Sequence, residues 1–220
     1  MKHSTSQGLY TYWNTVRGGR LAPRRYEIEP GQIAAYLSET MILENPLSDG
    51  CRVRVAGTQI CDWLGDTIRG HCFFEMWDDS DRMVLEDNVG TIARHGGVGC
   101  FTVEGRCETS SETSRFEMLL LPLTHLGKDI ERILGSISLL HAPSWLNEQF
   151  PTRLTLTHNE IIWPDGRPHA FLHREHFREV PVVKAGQHGI RRARLVRASD
   201  RSFLVYDGGL SESGQKAHED

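Results

Sequence analysis

One long amphipathic helix followed by three strand-length apolar runs, all between Asp79 and Leu140, constrains this chain more than any other feature. Asp79 or Asp81 opens the helix, and Leu85, Val89, Ile92 and Ala93 recur along it at helical spacing. Gly96-Gly97 stops it near Arg94, because glycine reaches left-handed conformations cheaply. Val98 to Cys107 and Arg115 to Leu123 then read as strands of a hairpin, joined through the polar stretch Glu108 to Ser114. Leu126 to Arg132 interrupts, and Ile133 to Leu140 is a further strand of near-continuous apolar character.

The region before the long helix is shorter-grained. Leu9, Tyr12, Trp13 and Val16 share one helical face, which Ser6 is placed to cap and Gly18-Gly19 to end. A second short helix carries Ile33, Tyr36 and Leu37 after Pro30, a residue that opens helices. Thr40 to Glu44 is a short strand. In Cys51 to Ala56, Cys51, Val53 and Val55 alternate with Arg52 and Arg54, the period-two pattern of a half-buried strand. Gly57 breaks it, and a helical turn with Ile60, Cys61 and Leu64 follows as far as Gly65. Beyond Pro143 the pattern weakens. Thr152 to Ile162 alternates at Leu154 and Leu156 and can form further strands, while Ser211 to Asp220 has the small, polar, charged character of a disordered tail.

Composition narrows the classes. With 220 residues, 39% hydrophobic and 25% charged, the chain suits a soluble protein of one domain with an extension, or of two very small domains. Its 29 acids and 25 bases give a net charge of -4, so neither nucleic acid nor an anionic membrane is a default partner. Five cysteines fit no disulfide framework and no paired CxxC zinc site, which points to buried reduced thiols. The start lacks the apolar run of a signal peptide, and no window approaches the ~18 apolar residues of a membrane span. A cytoplasmic location is the expectation.

Strand, strand, short helices, long helix and three strands is an order that resembles a PAS domain with an N-terminal cap. Particular words sharpen the likeness. They are Arg17-Gly18-Gly19-Arg20 after the aromatic helix, Pro23-Arg24-Arg25, Ile28-Glu29-Pro30, Arg54-Val55-Ala56-Gly57-Thr58, and Gly65-Asp66-Thr67-Ile68-Arg69-Gly70. They resemble the stand-alone PAS family found mainly in alphaproteobacteria, over about Leu9 to His141. The resemblance implies an α+β fold, a five-stranded antiparallel sheet with helices on one face. It implies a role in signalling or protein interaction, and names no ligand. On this reading residues 1–39 are a helical cap, 40–142 the PAS-like domain, and 143–220 an extension that is partly irregular or disordered.

If the long helix crosses the sheet, Leu85, Val89 and Ile92 face Phe101, Val103, Leu119, Leu121, Ile137 and Leu139, and the space between them is the expected small-ligand pocket, with a filled core of the same residues as the competing expectation. Leu9, Tyr10, Tyr12, Trp13 and Val16 are the expected interface, with a signalling protein or a second copy as partner. Packing of that stripe on its own domain is the competing expectation.

No catalytic signature is present: GxSxG, Walker A and SxxK are all absent. On a helix, His169, His173 and His176 would share a face, but Pro168 precedes them, Arg174 and Arg178 add positive charge, and no HExxH accompanies them, so no metal is assigned. Asp78-Asp79-Ser80-Asp81 with Glu86-Asp87 departs from EF-hand order at Met83 and Leu85 and reads as an acidic helix start. Gly96-Gly97-Val98-Gly99 follows a helix, the reverse of a phosphate loop. Cys100 and Cys107 have no nearby cation to activate them. A haem needs an axial histidine within the long helix, where His95 only ends it, and Cys72 lacks the asparagine–cysteine context of a flavin photoreceptor, so the cofactor stays unknown. Two other classes compete with the regulatory reading. One is a nucleic-acid regulator using Arg191-Arg192-Ala193-Arg194 and Arg197, which lack interleaved aromatics. The other is a small hydrolase using histidine and aspartate, for which no nucleophile–base pair is evident.

Overall fold

The computed structural model describes residues 1–48, 50–65, 68–168, 193–198 and 201–206. They belong to two compact units, Met1–Glu175 and His176–Asp220. In the second unit, β7 (Ala193–Ala198) and β8 (Arg201–Tyr206) pair antiparallel.

The first unit is built on β1 (Thr40–Glu44), β2 (Arg52–Ala56), β3 (Val98–Arg106), β4 (Thr113–Thr124), β5 (Ile130–His141) and β6 (Arg153–Ile162). They form one antiparallel sheet in the order β2-β1-β5-β4-β3-β6. The fold is α+β and PAS-like, as expected, with one strand more. The weakly patterned Thr152 to Ile162 segment supplies it, pairing along the whole of β3 from Val98↔Ile162 to Arg106↔Arg153. The expected boundary at residue 143 therefore falls before the last strand of the sheet.

Helices cover both faces of the sheet, where the expectation placed them on one, because the N-terminal cap helix packs on the face opposite the long helix. On one lie α2 (Thr58–Leu64), a 3-10 turn Phe73–Met76 and α3 (Asp79–His95). There Leu85, Val89 and Ile92 pack with Phe101, Val103, Phe116, Met118 and Ile137. On the other lies α1 (Ser4–Arg17), whose Leu9 and Trp13 pack against Leu119, Leu121, Leu123 and Leu134 of β4 and β5. Apolar burial on both faces explains why Ile133 to Leu140 of β5 reads as a near-continuous apolar run rather than an alternation.

Local chemistry sets the element ends. Gly18 ends α1 at φ 57° and Gly96 ends α3 at φ 72°, each donating its amide back into the last helical turn. The cap of α1 is His3, not Ser6: its Nδ1 accepts from the Thr5 amide at 3.2 Å. In β2 the alternation breaks at a bulge, because Leu43 pairs with Val53 while Ile42 pairs with Val55. Val55 consequently turns out to solvent and Ala56 turns in.

Candidate ligand cleft and its surroundings

The residues expected to line a pocket divide between the two faces. Cross-strand pairing places Phe101 opposite Met118 and Val103 opposite Phe116, so these four share the α3 face. Leu119 and Leu121 point the other way and pack under α1, which corrects their placement in that pocket. The other seven meet in one cluster: Leu85, Val89, Ile92, Phe101, Val103 and Ile137 are buried in it, and Leu139 packs against its margin. Phe73, Phe101 and Phe116 fill the space between helices and sheet, with the Trp63 ring 5.8 Å from Phe116 and Trp77 6.0 Å from Phe73. None of the nine residues lines the cleft beside Met76 or the cavities around Arg25 and around Arg82.

The expected interface is likewise divided. Leu9 and Trp13 are 0% exposed within their own unit, and the Trp13 indole N–H donates to the Pro122 carbonyl at 2.8 Å. That burial corrects the assignment of these two to a partner surface. Tyr10, Tyr12 and Val16 stay half-buried at the edge of the same cluster.

A cleft of about 360 Å³ does open on the α3 side, between the chain from Leu64 to Met76 and the start of β6. This chain crosses the face and is pinned at both ends. At the β2 end Gly70 and Phe73 donate to Val53 and Cys51, and Val53 donates to His71, which also covers the edge of β2. At the β6 end Trp77 makes a backbone bridge to Leu154. Leu64, Ile68, Met76 and Leu154 give the cleft apolar walls, and His71, Glu75 and Arg153 give it polar groups. Arg153 is also paired with Asp78 at 3.3 Å. This arrangement suits a small amphipathic molecule. The cleft was hidden from sequence reasoning because its two walls lie more than seventy residues apart and meet only through the added strand.

Two polar anchors fix α1 to the sheet. Glu117, 2% exposed in the middle of apolar β4, accepts from the backbone amides of Lys2 at 2.6 Å and His3 at 2.9 Å. Burial alone pushes its carboxyl up, but the His3 amide, the nearby Ser6 hydroxyl, the Lys2 amide and the terminal ammonium together hold it below the usual carboxylate range. At the other end of α1, buried Arg17 makes a bidentate pair with Asp165, at 2.7 and 2.9 Å, just beyond β6. Its guanidinium lies 5.6 Å from the centre of the Trp13 ring.

All five cysteines are buried and none is in a disulfide. Burial, with Cys72 close by, pushes the Cys51 thiol up to about 12. Among the described residues no cluster of histidine, cysteine and carboxylate groups is placed to hold a metal, and no helix is long and apolar enough to cross a membrane. His169, His173, His176, Arg191 and Arg192 lie outside the described residues, whereas Arg194 and Arg197 fall in β7.

A helix-crossed antiparallel sheet of this order is PAS-like. The family model of the PAS domain matches residues 1–138, and the chain belongs to that family. No curated protein and no solved structure matches it.

Proposed function

We propose that this protein is a regulatory PAS module, of the bacterial type that its Arg17–Arg20 and Arg54–Thr58 words resemble, acting in the cytoplasm. In this reading it binds a small amphipathic ligand and passes the binding event to a protein partner. The observation that carries the reading is the cleft of about 360 Å³ between the Leu64–Met76 chain and β6, in a domain whose central interior is otherwise filled. Membership of the PAS family supports the sensory role. Buried thiols outside any disulfide accord with a reducing compartment.

The mechanism is a population shift. The chain over the cleft is tied to both sheet edges, so a ligand that prefers one spacing of chain and sheet biases the whole crossover. It does so by no more than its differential affinity for the two spacings. Such a ligand is apolar along Leu64, Ile68 and Met76 and polar where it meets His71 and Glu75.

Native mass spectrometry of protein purified from its own host tests this. A small molecule should travel with the full-length chain, and Met76→Trp, which fills the cleft, should release it while leaving the fold intact by circular dichroism. A ligand retained at full occupancy in Met76→Trp sinks the cleft assignment. So does the failure of any small molecule to copurify, together with unchanged thermal stability across a metabolite panel.

A further inference from the structure

We infer that a basic groove on the α1 side of the sheet docks an acidic segment of a partner protein, one that carries an apolar side chain among its carboxylates. This deepens the docking half of the function proposed above and does not depend on the cleft.

Two adjoining cavities, of about 390 and 230 Å³, share Arg25 and His125 as common walls. Their linings hold four arginines, Arg24, Arg25, Arg54 and Arg132, together with His125, and no acidic residue. The two guanidiniums of Arg54 and Arg132 share a single carboxylate, Glu44, at 3.2 and 2.7 Å. Among the described residues Arg24 and Arg25 are in no ion pair; Arg24 instead lies over the Tyr26 ring and bonds its hydroxyl. The chain as a whole is acidic, at net charge -4, so this concentration of arginine, only partly neutralised by Glu44 and the nearby Glu27, runs against the overall sign.

Apolar surface is interleaved with the charge. Leu126 is 88% exposed, Tyr26 66% and Val55 53%, the last turned outward by the β2 bulge. An inorganic anion has no use for these side chains. A peptide with carboxylates beside an aliphatic or aromatic residue uses both, and arginine with tyrosine is the pairing that dominates protein interfaces. Nucleic acid is the poorer fit, because its affinity comes from many unpaired cations and here the surrounding molecule repels it. The two walls of the groove are also tied together. The Thr124 amide donates to the Pro23 carbonyl at 3.0 Å, so the Arg24–Tyr26 wall is tied to the His125–Leu126 wall. Preformed walls reduce the ordering cost of binding.

The test uses the full, isotope-labelled chain and a short fluorescent peptide of glutamates around a leucine–phenylalanine pair. Binding should move backbone amide resonances of Arg24 to Tyr26, Val55, His125 and Leu126, and should weaken as salt rises. Arg25→Glu should cost about tenfold or more in affinity. Leu126→Ser, at a site too exposed to affect folding, should cost several-fold with charge unchanged. Arg82→Glu, on the exposed surface of α3, should cost nothing. Resonance changes elsewhere, equal losses in Arg25→Glu and Arg82→Glu, or no loss in Leu126→Ser would overturn the inference. Displacement of the peptide by inorganic phosphate or a DNA duplex at comparable concentration would also overturn it. Failure of the peptide to bind both with and without a ligand in the cleft defeats the groove alone, and peptide binding by a protein in which no cleft ligand is ever found defeats the cleft alone.

Discussion

Trp13 sits where a surface-facing and an inward-facing reading of the same helical stripe diverge. Its ring is fully enclosed and its N–H is satisfied by Pro122. Trp13→Ala should therefore lower stability by about 3–5 kcal/mol in denaturant titration, with the oligomeric state in sedimentation unchanged. A shifted association equilibrium at unaltered stability would return Trp13 to an interface. Glu117 gives a second residue-scale expectation. Its folded pKa lies below the unfolded one, so its stabilising contribution is fully present above the ordinary carboxylate range. That contribution is lost as pH falls through the folded value. Glu117→Gln should lower the melting temperature at neutral pH and flatten the acid limb of the stability profile. An acid limb identical to that of the parent protein would contradict this. Neither role was legible residue by residue. An indole at helical spacing looks the same whether its own sheet or another chain covers it, and a lone glutamate within an apolar run shows nothing of the amides it will accept.

Secondary-structure elements were far easier to read than the faces they present. The ends of α1 and α3 follow from Gly18 and Gly96, and the acidic start of α3 follows from Asp79 and Asp81, because these signals are local. Sidedness in β4 is not local. Phe116, Met118 and Leu120 differ from Leu119 and Leu121 only in parity, and the register against β3 that decides parity comes from pairing across the hairpin. The same limit hid the outward turn of Val55, which one bulged residue imposes. The cleft and the basic groove were less legible still, since each assembles residues from three or more elements. At the junction of β2 and α2 the reading is firmer. Gly57 has φ -67°, which any residue adopts, so it is needed for space alone: a Cβ there would lie 2.3 Å from the carbonyl oxygens of Leu37 and Ser38. Gly57→Ala should cost roughly 2 kcal/mol or more, because backbone must move to admit one methyl group. Unfolding midpoints equal to those of the parent protein would show that this approach is looser than drawn.

For the molecule as a whole, the sixth strand and the contacts just beyond it matter more than their weak sequence pattern implies. A chain cut before Asp165 keeps every strand of the sheet but leaves the buried Arg17 guanidinium without its carboxylate. Stranding a buried charge in this way costs roughly 3 kcal/mol, so the cut chain should melt well below the full one, and Arg17→Met in the cut chain should recover part of the difference. Equal melting of cut and full chains would remove any role for the pair. The clasp also has a consequence in time. Its two residues are 148 positions apart, and the bed on which Leu9 and Trp13 rest is made only when β4 and β5 exist. On the ribosome, then, the first helix emerges with nothing to lie on, and its final lock waits until nearly the entire domain has been synthesised. Within this domain, the first helix to be made is the last to be secured.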